Sequence, residues 1–175
     1  MDRFISDLHL GDIKYVKKRG FKTKKDMHKH IVEEWNKVCN NDDRIFLLGD
    51  VAKKPKYYPI LEQLNGNIYV ILGNHDEPKF IPELIKYVKG VSGLYKYIND
   101  IYLTHAPVHE CQIGIKTNLN IHGHLHKQRI VNYNWDYINK KDIEIINTNY
   151  INVCLDMIGY RPMTLFELTN NKEFS

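Results

Sequence analysis

Ile68-Tyr69-Val70-Ile71-Leu72 runs directly into Gly73-Asn74-His75-Asp76, and this join decides the fold. Five β-prone apolar residues in a row read as a strand buried on both faces, the kind found in a parallel sheet. Gly and Asn then turn the chain, and the turn carries an amide, an imidazole and a carboxylate. The same join recurs on either side. Phe4-Ile5-Ser6 leads to Asp7-Leu8-His9, and Ile45-Phe46-Leu47-Leu48 leads to Gly49-Asp50. Ile101-Tyr102-Leu103-Thr104 leads to His105, and Leu119-Asn120-Ile121-His122 leads to Gly123-His124-Leu125-His126. Ligands of open α/β sheets bind beyond the carboxyl ends of the strands, so five strand ends can face one cleft.

The segments between these runs set the class as α/β. Thr23 to Cys39 predicts the longest helix: Thr23 and Asp26 form a capping box, and Met27, Ile31, Trp35 and Val38 share a face. Shorter helices are expected over Pro59 to Leu64, closed by Asn65-Gly66, and over Pro82 to Val88, stopped by Gly90. Leu94 to Ile98 and Ile101 to Thr104 flank Asn99-Asp100 as a hairpin. Ile151 to Leu155 and Met163 to Leu168 read as further strands. Lys127 to Tyr150 is polar and Asn-rich, and reads as a surface loop or hairpin.

Composition narrows the class further. A chain of 175 residues with 43% hydrophobic and 26% charged residues has room for one substantial core, which argues against wholesale disorder. No run is long and apolar enough to span a bilayer, and the Asp2-Arg3 start carries no secretory signal pattern. Cys39, Cys111 and Cys154 are widely spaced and odd in number, which fits reduced thiols used mostly as core fillers and a cytoplasmic setting. The net charge of +4 is mild and concentrated between Lys14 and Lys25. That segment reads as a solvated face or as an anion-attracting rim.

The residue types at the strand ends point to metal chemistry. Imidazole suits transition metals, and carboxylate and amide oxygens suit harder divalent ions. Asp7, His9, Asp50, Asn74, His105, His124 and His126 are more ligands than one tetrahedral ion takes, about four. Two ions sharing a carboxylate fit better, and sites holding ions about 3.5–4 Å apart serve phosphoryl transfer.

Asp7-x-His9, Gly49-Asp50, Gly73-Asn74-His75-Asp76, His105 and Gly123-His124-x-His126, in this order, resemble the calcineurin-like metallophosphoesterase superfamily. The likeness covers nearly the whole chain. It is nearest to the small capless phosphoesterases of bacteria and phages, with Glu34-Trp35-Asn36 and Asn152-Val153 through Tyr160-Arg161-Pro162 also similar. The resemblance implies a sandwich of two mixed β-sheets flanked by helices, in four α/β/β/α layers. It implies a single domain over residues 1–168 and a C-terminal tail over 169–175. Metal one would take Asp7, His9, Asp50 and His126, and metal two Asp50, Asn74, His105 and His124. Asp50 and a water or hydroxide would bridge them. His75 would be no ligand but a catalytic group, a general acid or a positive stabiliser of the phosphoryl oxygens.

The chain departs from its relatives in two places. Lys53 stands where many carry the acid that orients the catalytic histidine, and Asp12 stands where close relatives often have His. Lys53-Lys54, in place of the Asp-Arg of protein serine/threonine phosphatases, argues against that activity. Arg19 reads either as a surface residue or as a substrate contact reaching the cleft. His109 and Cys111 read as loop residues, His122 as core or backing, and His28 and His30 as solvent-facing.

The expected function is metal-dependent hydrolysis of a small or nucleotide-like phosphate mono- or diester. Two divalent transition metal ions would serve it, Mn²⁺ first and Fe, Zn or Ni as alternatives. A nuclease on single-stranded nucleic acid and a non-catalytic scaffold are the competing readings. No membrane partner is expected.

Overall fold

The computed structural model of the chain describes residues 1–170. Its first half holds β1 (Asp2–Ile5), α1 (Ile13–Lys18), α2 (Lys24–Asn36), β2 (Arg44–Leu47), β3 (Asn67–Ile71), α3 (Ile81–Leu84) and β4 (Gly90–Ser92). The second half holds β5 (Tyr95–Tyr97), β6 (Ile101–Thr104), β7 (Leu119–His122), β8 (Val131–Asp136), β9 (Lys141–Ile146), β10 (Tyr150–Asn152), β11 (Met163–Thr164) and α4 (Leu165–Asn170).

Two mixed sheets and a hairpin result. One sheet runs β11-β1-β2-β3-β4, parallel except for the β11–β1 pair. The other runs β10-β7-β6-β5, parallel except for the β5–β6 pair. The sheets share one core, where the Phe4 and Phe46 rings of the first meet Tyr97 of the second at 5.4 Å. Met27, Ile31 and Trp35 of α2 are fully buried in it, as the helical spacing requires. This is the expected α/β sandwich of mixed sheets flanked by helices. Among the described residues no helix is long and apolar enough to cross a membrane.

Several elements differ from expectation, each for a local reason. Met163 to Leu168 is not a strand: pairing stops at Thr164, and α4 begins. Thr164 and Glu167 form a capping box, with the Glu167 carboxylate accepting from Thr164 and the Glu167 N–H donating to Thr164 Oγ1. Leu168 is then buried as a helical residue. The segment Pro55–Gln63 is a 3₁₀ helix, which starts four residues before the short helix expected over Pro59 to Leu64. α3 has a single turn, and the three-residue β4, which includes a glycine, gives no periodicity to read. α1 was not expected, although Asp12 caps it by accepting from the Lys14 N–H at 2.9 Å. The 127–150 excursion is the antiparallel hairpin β8–β9. Of the expected tail, 171–175 lies outside the described residues.

Cys39 and Cys154 are buried and Cys111 is exposed. A buried ion pair anchors the first sheet: Arg3 Nε donates to Asp43 at 3.1 Å, and Arg3 Nη1 donates to the Pro162 carbonyl. Both side chains are nearly inaccessible. Asp43→Ala strands the guanidinium, so urea unfolding in chelator should reveal a loss of about 3–5 kcal/mol. Exposed Asp42→Ala should stay within about 0.5 kcal/mol of the parent. A loss under about 1 kcal/mol for Asp43→Ala would mean that Glu167, 3.6 Å from Arg3, is partner enough.

Candidate metal centre

The loops that leave β1 and β2 run side by side. Asp7 N–H donates to the Gly49 carbonyl at 3.0 Å and His9 N–H to the Asp50 carbonyl at 2.9 Å. To bend over the sheet edge, Asp7, His9, Asp50, His124 and His126 all take left-handed backbone conformations, with φ between 48° and 70°. Such residues are uncommon outside glycine and concentrate at functional sites. Gly49 and Gly73 let the β2 and β3 loops touch: a Cβ on Gly49 would lie 2.5 Å from the Gly73 nitrogen.

Two groups of donor atoms form at these ends. In the first, His9 Nε2 lies 3.6 Å from Asp7 Oδ1 and 3.5 Å from Asp50 Oδ2, and His126 Nε2 lies 3.9 Å from Asp7 Oδ1. In the second, Asn74 Oδ1 lies 2.9 Å from His105 Nε2 and 3.0 Å from His124 Nδ1, and the two imidazole nitrogens are 3.2 Å apart. Asp50 Oδ2 stands between the groups, 3.5 Å from both His9 Nε2 and His105 Nε2. The structure thus gathers all seven residues expected from the sequence. Asp7, His9 and Asp50 of the first group are buried and His126 is half-buried, whereas Asn74 and His124 of the second are exposed.

The mounting of each donor leaves its lone pair aimed inward. Asp7 Oδ2 accepts from Ser6 Oγ at 2.6 Å, Cys154 Sγ at 2.9 Å and the His124 N–H at 3.0 Å. Among the described residues, Asp7 Oδ1 and His9 Nε2 have no hydrogen-bond partner although both are buried. Orphaned buried polar atoms are rare and costly. A cation between them removes the cost, so the residues fit a metal. Burial works against the Asp7 carboxylate, yet the donors around it, Cys154 and Ser6 among them, hold its pKa far below the usual range. Burial lowers the His9 imidazole, which keeps it neutral and its lone pair free. His105 Nδ1 faces the Leu48 carbonyl at 2.8 Å, so that nitrogen carries the proton and Nε2 is the bare one. His126 Nδ1 is set likewise by Asp156 at 2.8 Å, while its Nε2 receives the Tyr15 hydroxyl at 3.1 Å.

Three residues carry more of this frame than the sequence indicated. Asp156 follows the Ile151–Leu155 run, so it repeats the strand-end acid pattern. It clamps His126 and Arg19, and although burial opposes its charge, these partners keep it ionised. Asp76 accepts the backbone N–H groups of Asp50, Val51 and Gly73 at 2.8, 3.0 and 2.8 Å. Burial, with the Asp50 charge, raises its pKa against those bonds. Tyr15 stacks on His9 with ring centroids 3.5 Å apart, a contact that no pattern in the sequence marks.

Arg19 is corrected. Its side chain is 1% exposed, and its N–H groups go to Asp156, to the Leu8 and Asp7 carbonyls and to Met27 sulfur. With those donors taken, it holds the Asp7 loop instead of reaching a substrate. His28 is corrected too: it is half-buried and accepts the Gly11 N–H at 2.9 Å. His30 packs edge-on against Tyr160. His122 lies buried behind the site, its pKa pushed by burial down to about 4. His109 accepts from the Cys111 N–H in an exposed loop. His75 is exposed, its N–H donating to Asp50 Oδ1 at 2.9 Å and its ring meeting the His9 ring edge-on at 5.4 Å.

Residues 3–157 match the family model of the calcineurin-like phosphoesterases. An uncharacterised protein of Methanocaldococcus jannaschii, MJ1445, is 32% identical over 169 residues, covering 92% of this chain and 85% of its own. The crystal structure of AQ665, a protein of unknown function from Aquifex aeolicus, superposes with a TM-score of 0.68 at 22% identity. That superposition covers 95% of this chain and 96% of the other. A novel archaeal phosphodiesterase gives a TM-score of 0.47 at 17% identity, with 83% and 99% covered.

Asp76→Asn turns one acceptor oxygen into a donor facing buried N–H groups. It should cost about 2–4 kcal/mol in chelator-treated protein, read by urea unfolding. A change under about 0.5 kcal/mol would mean that those N–H groups find water instead.

Proposed function

The chain belongs to the calcineurin-like phosphoesterase family, the metal-dependent hydrolases of phosphate esters, and from that premise we propose that it hydrolyses small or nucleotide-like phosphate mono- or diesters with two divalent cations held at the strand ends. One observation carries the two-cation reading: Asp50 Oδ2 stands 3.5 Å from a nitrogen of each donor group, where a shared carboxylate belongs. Asp7, His9, Asp50 and His126 would hold the first cation, and Asp50, Asn74, His105 and His124 the second. The mixed nitrogen and oxygen set suits Mn²⁺, with Fe, Zn or Ni as alternatives. Bound there, the cations would lower the pKa of water towards neutrality and offset the charge that grows on the phosphoryl oxygens.

The chain's own residues supply position and a proton. Asp76 accepts the Asp50 backbone N–H and the His75 N–H donates to the Asp50 carboxylate, so the two groups keep their spacing during turnover. Asp156 and the Leu48 carbonyl hold His126 and His105 in the tautomer with an unprotonated Nε2, which at His126 accepts the Tyr15 hydroxyl until a cation displaces it. His75 stands at the open side, beside exposed Asn74. Among the described residues its ring takes no hydrogen bond, so both nitrogens are free to meet substrate. Its role is to donate a proton to the leaving oxygen. Backbone and ring contact orient it, in place of the acid that Lys53 replaces.

Excess chelator should abolish turnover of nitrophenyl phosphates, and Mn²⁺ should restore it. Full activity in chelator would refute the metal reading. Independently of activity, Mn²⁺ at about 100 times its Kd should stabilise the fold by about 2.7 kcal/mol. Asp50→Asn should remove most of that gain.

A general acid matters most when the leaving group is poor. His75→Asn should therefore slow alkyl or nucleoside esters by about 10²–10⁴-fold. Nitrophenyl esters should slow less, because nitrophenolate leaves without a proton. Equal losses on both would reassign His75 to charge stabilisation.

A further inference from the structure

The basic segment of α1 does not face away from the metal centre. Lys14 and Lys18, one helical turn apart, both place their ammonium groups 5.7 Å from the ring centre of Tyr15, the ring that stacks on His9. Lys127 follows His126 directly. Among the described residues none of these three lysines has a carboxylate partner, as holds for most lysines of the chain, so it is their place beside the centre that sets them apart. Lys18 and Lys127 line one cleft of about 240 Å³ with Arg19, Asp156 and Tyr160.

The charges in this cleft do not balance. Arg19 and Asp156 neutralise each other through two hydrogen bonds of 3.0 and 3.1 Å. The two lysines are left as net positive charge on a concave surface, which focuses an attractive field on anions. The cleft is one imidazole away from the first donor group, because Asp156 Oδ2 binds Nδ1 of His126 while Nε2 of the same ring faces Asp7. Tyr160 lines the cleft with a left-handed backbone, φ 66°, and its ring is packed by His30 at 4.7 Å. A bulky residue held so is a backbone outlier of the kind that collects at binding sites.

We infer that the cleft between Lys18 and Lys127 is an anion subsite for a second phosphate, one linkage from the phosphate that reacts. The inference rests on the phosphoesterase reading and narrows its substrate class to esters with two or more phosphates.

The test uses thymidine 5′-nitrophenyl phosphate and its 3′-phosphorylated form with the Mn²⁺-loaded protein. The parent should favour the 3′-phosphorylated ester by about tenfold or more in kcat/KM, the effect of one well-placed charge contact. In the double variant Lys18→Ala, Lys127→Ala the ratio should fall to within about twofold of unity. Lys89→Ala, exposed beside the opposite end of the first sheet, should keep the parental ratio. A preference that survives the double variant overturns the subsite, and so does a parental ratio near one when thymidine 5′-diphosphate also competes no better than thymidine 5′-monophosphate. Competition by thymidine 3′,5′-bisphosphate against thymidine 5′-diphosphate tells whether the second phosphate is joined through sugar or through an anhydride. If neither ester turns over, the diesterase half of the proposed function fails while the subsite is still judged. Chelator-treated protein should bind the bisphosphate about tenfold tighter than thymidine 5′-monophosphate, through the two lysines. Equal binding removes the subsite.

Discussion

Asp50 is the fixed point of the molecule. Its carboxylate is buried, yet Oδ2 faces an imidazole nitrogen on each side, and Oδ1 takes the His75 N–H. A carboxylate can stand there only if the backbone beneath it cannot retreat. Asp76 supplies that restraint by binding the Asp50 and Val51 N–H groups and tying them to Gly73 in the neighbouring loop. The absence of a Cβ at Gly49 and Gly73 is the other half: either side chain would collide with the partner loop or with Asp50 itself. The left-handed turn at Asp50 follows from these ties, because a relaxed extended exit would break three hydrogen bonds at once.

The first donor group is held as tightly from the other sheet. Asp7 Oδ2 is saturated by Ser6, Cys154 and the His124 N–H, and this is what leaves Oδ1 bare and inward. Cys154 acts here as a protonated donor, since burial and the adjacent Asp7 charge raise its pKa. Arg19 then joins the carbonyls of Asp7 and Leu8 to Asp156, and Asp156 joins His126. One chain of charge-assisted bonds thus spans β1, the 124–126 loop and the segment after β10. The second group has no such frame around Asn74 and His124, which are exposed. The asymmetry suits a site in which one side is structural and the other must meet substrate.

Much of this was legible in the chain because strand ends are local events. A buried apolar run followed by Gly-Asp or Gly-Asn-His-Asp announces both the strand and the polar turn, and the structure brings the seven residues so marked to one place. What was missed depends on contacts no periodicity encodes. Asp156 carried the same strand-end signature, yet its partners, Arg19 and His126, lie 137 and 30 residues away. Arg19 looked free because a guanidinium in a lysine-rich segment usually is. Only the three-dimensional arrangement reveals the two carbonyls and the carboxylate that consume its donors. The Thr164–Glu167 capping box was readable, and a β-prone Met-Thr-Leu-Phe run masked it.

The strain at the centre and the orphaned atoms belong to one account. Five left-handed non-glycine residues cost of order 1 kcal/mol each. Two buried acceptors without donors add to that cost. Neither would persist in a site meant to stay empty, where Asn74 or His9 could turn outward and the loops relax. The hydrogen bonds of Asp76, Arg19 and Asp156 oppose that relaxation, so the donors remain convergent before any cation arrives. Such preorganisation places the cost in the folding of the chain and spares the binding step, in which a cation then meets lone pairs already stripped of water and aimed at it.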